Sequence, residues 1–182
     1  YLEWRFQFPS IPAAHLEGYL APADAREMAA YAAARNITLA PQLNVMGHSS
    51  DLLGAEVFEE LKEYDPQTQD SGTGGGSALC PNNPRTRMLV EKALNDIMDA
   101  FDSPVIHVGG DGVTELGICP RCAAQKKDAG TAGIYLDYFC WIRNLLQKRG
   151  RKMGIWGDMM AQYAGLNPLY PPREAIVPTE RF

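Results

Sequence analysis

The side chains best suited to chemistry follow an apolar run from Pro104 to Gly112, which contains one histidine and one aspartate. The run predicts a buried strand, in which successive side chains alternate between the two faces. His107, Gly109 and Asp111 would share one face, and the glycine would leave room for a ligand between the imidazole and the carboxylate. The same residues also fit a plainer interpretation, in which the histidine and the aspartate only hydrogen-bond each other.

Further polar side chains lie near the ends of two other apolar runs. Asn44 and His48 follow the run over residues 37–46, which predicts a second strand. Trp156 and Asp158 close a third run that begins at residue 152. If these strands are parallel, their carboxyl ends meet at one edge of the sheet, and the polar side chains collect there.

The elements that must position these residues alternate between strands and helices. Apolar residues recur at helical spacing over residues 22–35, 84–101 and 134–149. A strand is predicted over residues 1–6, a short helix over 55–64 and a further strand over 175–178, and such alternation predicts a parallel sheet with helical crossovers. Because no GxGxxG motif follows the first strand, an α/β fold of the (β/α)8 TIM-barrel type is favoured over a dinucleotide-binding fold.

Composition excludes two classes of partner. The 182 residues carry a net charge of −5, and the pI is near 5.2, so we expect no basic surface for nucleic acid. No uninterrupted apolar run is long enough to cross a bilayer, and the first residues lack the layout of a signal peptide, so we expect no membrane partner. The glycine-rich run 71–77 lacks the GK[ST] of a phosphate loop and predicts a flexible surface loop. We expect no cofactor.

Four cysteines form a separate set: Cys80, Cys119, Cys122 and Cys140. The CxxC pair at 119 and 122 is half of a zinc site, and Cys80 would supply a third thiolate, but no fourth cysteine or suitably spaced histidine completes the set. A redox-active dithiol is less favoured, because no thioredoxin-like pattern surrounds the pair. We therefore interpret these three residues as reduced structural thiols, with zinc as the alternative, and Cys140 as a small buried hydrophobe.

Several motifs occur together in the order found in one enzyme family. Residues 107–111 match the family pattern His-x-Gly-Gly-Asp, and residues 113–117 also resemble its continuation. Residues 47–48 are similar to a Gly-His after the third barrel strand, residues 1–3 to the second strand and residues 156–158 to a Trp-x-Asp/Glu at the fifth. In these motifs, which span most of its length, the chain resembles glycoside hydrolase family 20, the β-N-acetylhexosaminidases, especially the hexosaminidase D-like branch.

The resemblance implies hydrolysis of terminal β-linked N-acetylhexosamine residues by a substrate-assisted retaining mechanism. The 2-acetamido carbonyl oxygen attacks the anomeric carbon, and Asp111 would orient the amide and stabilise the oxazolinium-like intermediate. The neighbouring acid that protonates the leaving oxygen is a Glu in the family, but here it is Gly112. General acid catalysis contributes about 10²–10⁴-fold, so we expect binding of N-acetylglucosamine or N-acetylgalactosamine groups with sharply reduced turnover. Glu115, three residues further on, fits a solvated loop acid better than a substitute acid.

The resemblance also implies roles for the other polar side chains. His107 would orient Asp111 or bridge to His48. Trp156 would form part of the apolar box around the acetamido methyl group, and Asp158 would accept hydrogen bonds from sugar hydroxyls. The predicted substrate-binding residues are His48, Trp156, Asp158, Glu3 and Asn44.

The sequence is also compatible with three other functions. One is a sugar-binding pseudoenzyme, in which Gly112 is native. The second is a zinc-stabilised interaction module around the three cysteines. The third is a metal-dependent barrel hydrolase, since imidazoles and carboxylates together bind metal ions; its ligands would be His48, His107, Asp111 and Asp158.

The length of the chain sets the expected extent of the barrel. A complete eight-stranded barrel takes about 250 residues, whereas residues 1–182 supply four predicted strands and a fifth at most. We therefore expect one catalytic domain, truncated at both ends, with about half of the barrel present. Unpaired strand edges promote association, so we expect further chain, a second chain or a homo-oligomer to complete it.

Overall fold

The computed structural model describes residues 1–14, 18–64, 77–113 and 116–163. The helices are α1 (Pro22–Ala33), α2 (Ser50–Leu53), α3 (Pro84–Ala100), α4 (Pro120–Lys148) and α5 (Asp158–Tyr163). Two 3₁₀ helices span Pro12–Ala14 and Glu56–Leu61, and the strands are β1 (Val105–His107) and β2 (Lys152–Gly154). Glu115, the predicted strand 175–178 and most of the glycine-rich run lie outside the described residues.

Strand β1 has a parallel neighbour on each side. It pairs with β2 in parallel register. On the other side, the backbone N–H of Leu43 donates to the carbonyl of His107 (3.0 Å), and the N–H of His107 donates to the carbonyl of Pro41 (2.9 Å). The amino-terminal segment lies next, since the N–H of Leu2 donates to the carbonyl of Gln42 (2.8 Å). Segment 41–45 thus occupies the place of a barrel strand beside β1.

The order of these segments in space follows their order in the chain. The amino-terminal segment is followed by α1, segment 41–45, α3, β1, α4 and β2. A doubly wound sheet reverses its strand order at a switch point, whereas a (β/α) barrel keeps it. The predicted barrel class is therefore confirmed, and the described residues form part of such a barrel.

The first predicted strand is interrupted. Glu3 and Trp4 have positive φ angles of 46° and 60°, so the chain turns within the predicted strand over residues 1–6. A single parallel bridge joins Phe6 to Leu20. Aromatic side chains cause this outcome, because Trp4 and Phe6 are both completely buried and their packing outweighs the local preference for a strand.

The strand over residues 104–112 is also shorter than predicted. It ends at His107, and φ angles of 73° at Gly109 and 99° at Gly110 turn the backbone away from the strand direction. Side-chain alternation holds only along extended backbone. The prediction that His107, Gly109 and Asp111 share one face is therefore wrong.

The predicted helix at residue 84 is confirmed as α3. Pro84 is its first residue, and the side chain of Asn83 accepts a hydrogen bond from the backbone N–H of Arg85 (3.0 Å), which caps the amino terminus. The apolar face packs into the core through Leu89, Val90, Ala93, Leu94, Ile97 and Met98. Ile106 of β1 belongs to the same hydrophobic core cluster.

Helix α4 is longer than the predicted helix over residues 134–149. It begins at Pro120 and contains a kink at Gly130, whose φ of 68° is not helical. The sequence pattern was interrupted by this kink, so only the second part was predicted. Within the described residues, no helix combines the length and the apolar character needed to cross a membrane.

Candidate active site

Asp111 lies in the loop after β1, and its two carboxylate oxygens have different surroundings. Oδ2 lies 3.2 Å from Nε2 of His48. Oδ1 is buried and has no hydrogen-bond partner among the described residues. A buried acceptor left without a donor costs about 1–3 kcal/mol, and more when it is charged. Oδ1 is thus an acceptor that a bound molecule with an N–H or O–H group would satisfy.

The Gly-His pair at 47–48 contacts this loop through both residues. A Cβ atom on Gly47 would lie 2.7 Å from the carbonyl oxygen of Asp111, so a residue with a side chain would push the loop away. His48, whose side chain is 49% exposed, then reaches the carboxylate from the open side. The motif predicted from the sequence therefore positions Asp111 by close backbone packing and by one imidazole contact.

The space beside Gly109 is occupied by protein. A Cβ atom there would lie 2.0 Å from Oδ1 of Asn44, which shows that the asparagine side chain fills the volume that the glycine leaves. The prediction that this glycine leaves room for a ligand is wrong.

Asn44 is itself buried and bonded within the protein, since it is 2% exposed and donates through Nδ2 to the hydroxyl of Tyr1 (2.7 Å). Its backbone carbonyl accepts from Nε1 of Trp4 (3.1 Å). These contacts join Asn44 to the amino-terminal segment, and its predicted contact with substrate stays a prediction.

His107 contacts Trp156 and the backbone. The two rings lie 4.7 Å apart at 60°, and Nδ1 of His107 accepts from the N–H of Gly109 (3.2 Å). Partial burial lowers the pKa of His107, and the nearby charge of Asp111 acts in the opposite direction. The imidazole that lies next to the Asp111 carboxylate is therefore that of His48. His107 instead packs against the indole of Trp156, which is 47% exposed.

Gly112 is the position where the resemblance implies an acid. Its φ of 63° is in the left-handed region, and a Cβ atom there would lie 2.6 Å from Nε2 of His48. The imidazole of His48 thus occupies the space into which a side chain at 112 would extend. A larger residue at this position needs His48 to move and costs about 1–2 kcal/mol in backbone strain.

The remaining predicted site residues are on the surface. Asp158 is exposed and is the first residue of α5. Glu3 is exposed, and its carboxylate lies 3.9 Å from Nε of Arg5. Glu3 also acts on Tyr1, because burial and the charges of Glu3 and Asp111 raise the pKa of the Tyr1 hydroxyl. Tyr1 therefore lies near both carboxylates.

Sequence reasoning missed two tyrosines of α4 that hold strand ends. The hydroxyl of Tyr135 donates to the carbonyl of Gly110, and that of Tyr138 donates to the carbonyl of Val45, both at 2.9 Å. Burial raises the pKa of both hydroxyls, so both stay protonated as donors. The apolar spacing over residues 134–149 predicted a helix, but it carried no signal for these hydrogen bonds.

A second set of polar residues lies in the interior. Glu63, Cys80, Cys119 and Cys122 are all buried, and one donor atom of each lies within 4.8 Å of the others. We call this set the Glu63 cluster. The prediction that Cys140 is buried is wrong, because it lies on the exposed face of α4.

Burial and the neighbouring members of the Glu63 cluster shift the pKa values of its side chains. Burial raises the pKa of Glu63. Hydrogen bonds from the thiols of Cys122 and Cys80 lower the pKa of Cys119, and the pKa values of these two thiols are raised in turn. Among the described residues this is the only group of three or more potential metal ligands. The ligands predicted for the alternative metal-dependent hydrolase do not form such a group; they are His48, His107, Asp111 and Asp158.

Comparison with known proteins identifies the family. Residues 6–179 match the model of glycosyl hydrolase family 20, catalytic domain. A β-hexosaminidase of Akkermansia muciniphila is 28% identical over 170 residues, which cover 88% of this chain and 32% of the relative.

Solved structures show the same fold. A chitobiase of Flavobacterium johnsoniae matches with a TM-score of 0.72 at 22% identity, covering 86% of this chain and 25% of that one. An exo-β-N-acetylglucosaminidase of Vibrio harveyi, in complex with N-acetylglucosamine, matches with a TM-score of 0.65 at 21% identity, covering 82% and 24%. The chain spans a third or less of the length of these three proteins. Because the family match extends over nearly all of its residues, the chain belongs to glycosyl hydrolase family 20.

Proposed function

We propose that this chain contributes to a glycosidase site for terminal β-linked N-acetylhexosamine, in which Asp111 orients the 2-acetamido group. The observation that carries the proposal is the buried Oδ1 of Asp111, which has no donor among the described residues. An acetamido group offers an N–H donor, which matches this acceptor. Family membership supports the reaction class, and the Vibrio harveyi relative holds N-acetylglucosamine.

The proposed chemistry assigns Asp111 an electrostatic task. The acetamido N–H donates to Oδ1, and the acetamido carbonyl oxygen forms a bond to the anomeric carbon while the bond to the leaving oxygen breaks. Positive charge develops on the ring that forms, and the carboxylate stabilises it at close range. The contact between His48 and Oδ2 holds the carboxylate in place. Water then attacks the anomeric carbon while the bond to the acetamido oxygen breaks, and the proton that water loses neutralises the departed alkoxide. The two successive inversions give net retention.

Trp156 supplies the proposed apolar surface. Its indole is half exposed and rests on the ring of His107. Aromatic rings provide a large and rigid contact area, and the C–H face of a sugar is its natural partner. In this proposal, barrel strands other than the described ones supply the remaining sugar contacts.

The leaving oxygen lacks its usual proton donor. Gly112 has no titratable group, and general acid catalysis is worth about 10²–10⁴-fold in rate. The proposed protein therefore binds its sugar with little turnover. The sugar-binding pseudoenzyme is the limiting case, and the imidazole of His48 beside Gly112 favours it, because this ring fills the space of the absent side chain.

A matched pair of variants tests the role of position 112. Gly112→Glu restores a carboxyl group, whereas Gly112→Gln has the same size and the same backbone strain without the acid. Two substrates are compared: chitobiose, whose leaving alcohol needs a proton, and 4-nitrophenyl N-acetyl-β-glucosaminide, whose leaving group does not. We expect kcat/KM on chitobiose to rise by about 10²–10⁴-fold in the Glu variant, with a smaller gain on the aryl substrate and none in the Gln variant.

Thermal unfolding of both variants serves as the control for folding. If both are folded and hydrolyse chitobiose at the same rate as the parent protein, position 112 is not the place of a missing acid. Equal gains in the Glu and Gln variants would likewise contradict the proposal, because they would be due to the movement of His48.

A further inference from the structure

Four potential ligand atoms from three separate segments meet in the interior of the protein. Glu63 follows the 3₁₀ helix Glu56–Leu61, Cys80 precedes α3, and Cys119 and Cys122 lie at the amino terminus of α4. The three cysteines are at most 2% exposed, and Glu63 is completely buried. Thiolates together with a carboxylate form a ligand set that selects zinc among the common divalent ions.

The distances between the sulfur atoms fit one shared ion. Tetrahedral zinc with Zn–S bonds of about 2.3 Å places its sulfur ligands about 3.8 Å apart. Sγ of Cys80 lies 3.4 Å from that of Cys119 and 3.7 Å from that of Cys122. A disulfide needs about 2.05 Å, and all three cysteines are free. The sulfur atoms are thus spaced as the corners of a coordination polyhedron.

Glu63 is oriented so that one oxygen points to the thiols. Its Oε1 accepts hydrogen bonds from the backbone N–H groups of Gly117, Ile118 and Cys119 at 2.9–3.0 Å. Its Oε2 lies 3.1 Å from Sγ of Cys122. Hydrogen bonds to the outer oxygen of a ligating carboxylate are a common support for a metal site. This arrangement leaves Oε2 as the fourth ligand that spacing among cysteines and histidines did not reveal.

The local electrostatics favour the anionic form of the cluster around a cation. A buried carboxylate and three buried thiols are costly to ionise without a counter-charge. The three N–H groups on Glu63 and the amino terminus of α4, where Cys119 is the N-cap, offset part of the negative charge that a dication leaves uncompensated. All four positions are filled by protein and none faces solvent, which is the property of structural rather than catalytic zinc sites.

From this geometry we propose that Glu63, Cys80, Cys119 and Cys122 bind one structural zinc ion. The ion joins the segment around Glu63 and the segment around Cys80 to the start of α4. Cys119 follows Asp111 by eight residues, so the ion also anchors the far end of the loop that carries the candidate catalytic carboxylate. The ion is independent of the sugar chemistry proposed above.

Metal content and cobalt spectroscopy test the proposal directly. Protein purified without chelators should contain about one equivalent of zinc per chain, measured by inductively coupled plasma mass spectrometry. Chelator-treated, reduced protein should bind Co²⁺ and show a thiolate-to-cobalt charge-transfer band together with the strong visible bands of tetrahedral cobalt. Added Zn²⁺ should displace the cobalt and remove these bands. Neither readout depends on enzymatic activity.

Matched variants assign the ligands. Cys122→Ser should lose the stoichiometric zinc, whereas Cys140→Ser, an exposed cysteine on the same helix, should keep it. Glu63→Gln keeps the size of the side chain and the three thiolates, and we expect its zinc affinity to fall by about 10–100-fold, measured by competition with a chromophoric chelator.

Three outcomes overturn the proposal. The first is a protein that is free of zinc as purified and binds neither Zn²⁺ nor Co²⁺ after reduction. The second is a disulfide between any two of Cys80, Cys119 and Cys122, found by mass spectrometry in protein purified without oxidant. The third is unchanged zinc affinity in Glu63→Gln, which would remove the fourth ligand and with it the closed tetrahedral site.

Discussion

The Asp111 site and the Glu63 cluster flank the same loop and differ in exposure. At Asp111, one oxygen contacts the half-exposed His48, and the other has no donor among the described residues. At Glu63, one oxygen accepts three backbone N–H groups, and the other contacts a thiol in a fully buried setting.

This difference separates two uses of buried polar atoms. An incomplete hydrogen-bond set beside solvent is completed by a molecule that enters and leaves, as a glycosidase requires. A complete set of converging metal-ligand atoms without solvent access retains the ion that it binds, as a structural metal site requires. Measurements of thermal stability, sugar binding and pH dependence test whether the two sites differ in this way.

The largest effect is expected from Cys119→Ser, measured as thermal stability. Removing one member of a buried charged group costs about 3–5 kcal/mol, and 1 kcal/mol shifts the Tm by about 2–4 °C in a domain of this size. We therefore expect a Tm lower by about 6–20 °C. Cys140→Ser is the control and should unfold near the temperature of the parent protein. Equal losses in the two variants would show that the Glu63 cluster has no special role in stability.

Asp111→Asn should show the opposite behaviour, with weaker binding and a smaller change in Tm than Cys119→Ser. Asparagine still offers a neutral acceptor, worth about 0.5–1.5 kcal/mol against about 1.5–3 kcal/mol for the carboxylate, so N-acetylglucosamine binding should weaken by about 5–15-fold in calorimetric titration. Glucose lacks the acetamido group, and its binding should be the same in both proteins. A parallel loss of glucose affinity would argue that Asp111 acts on the fold and not on the amide.

The smallest effect concerns pH at the open site. Burial lowers the pKa of His107 below its ordinary value of 6.5, so the folded protein favours the neutral ring, whose Nδ1 accepts from Gly109. The stability from this ring is present above pH 6.5 and is lost as the pH falls through the lowered pKa. We expect the Tm to fall on acidification, with a shallower slope in His107→Gln. Identical slopes would exclude His107 as the titrating group.

Much of the fold was predictable from local pattern. The helices at residues 22 and 84 and the order of strands and helices follow from apolar periodicity and from Pro84 at a helix start. The strand lengths were not predictable, because the turn at Glu3 and Trp4 is set by burial of aromatic side chains and the end of β1 by positive φ at Gly109. Such effects depend on distant neighbours.

The candidate site was predictable in composition but not in its contacts. Asp111 and His48 were selected from their motifs, and the structure brings them together. Asn44 was selected as a ligand-binding residue, whereas its side chain fills the space beside Gly109. Glu63 was not selected at all, since a single glutamate after a short helix carries no motif.

The sequence by itself determined the alternation of strands and helices, the aspartate after a buried strand, the glycine at position 112 and the CxxC pair. Only the tertiary structure decided which side chains meet. His48 reaches Asp111 from another strand end, and Glu63 reaches Cys119 and Cys122 across 56 and 59 residues. The physical reason is that local patterns report interactions between near neighbours, whereas these contacts depend on how loops of irregular sequence pack once the core has formed.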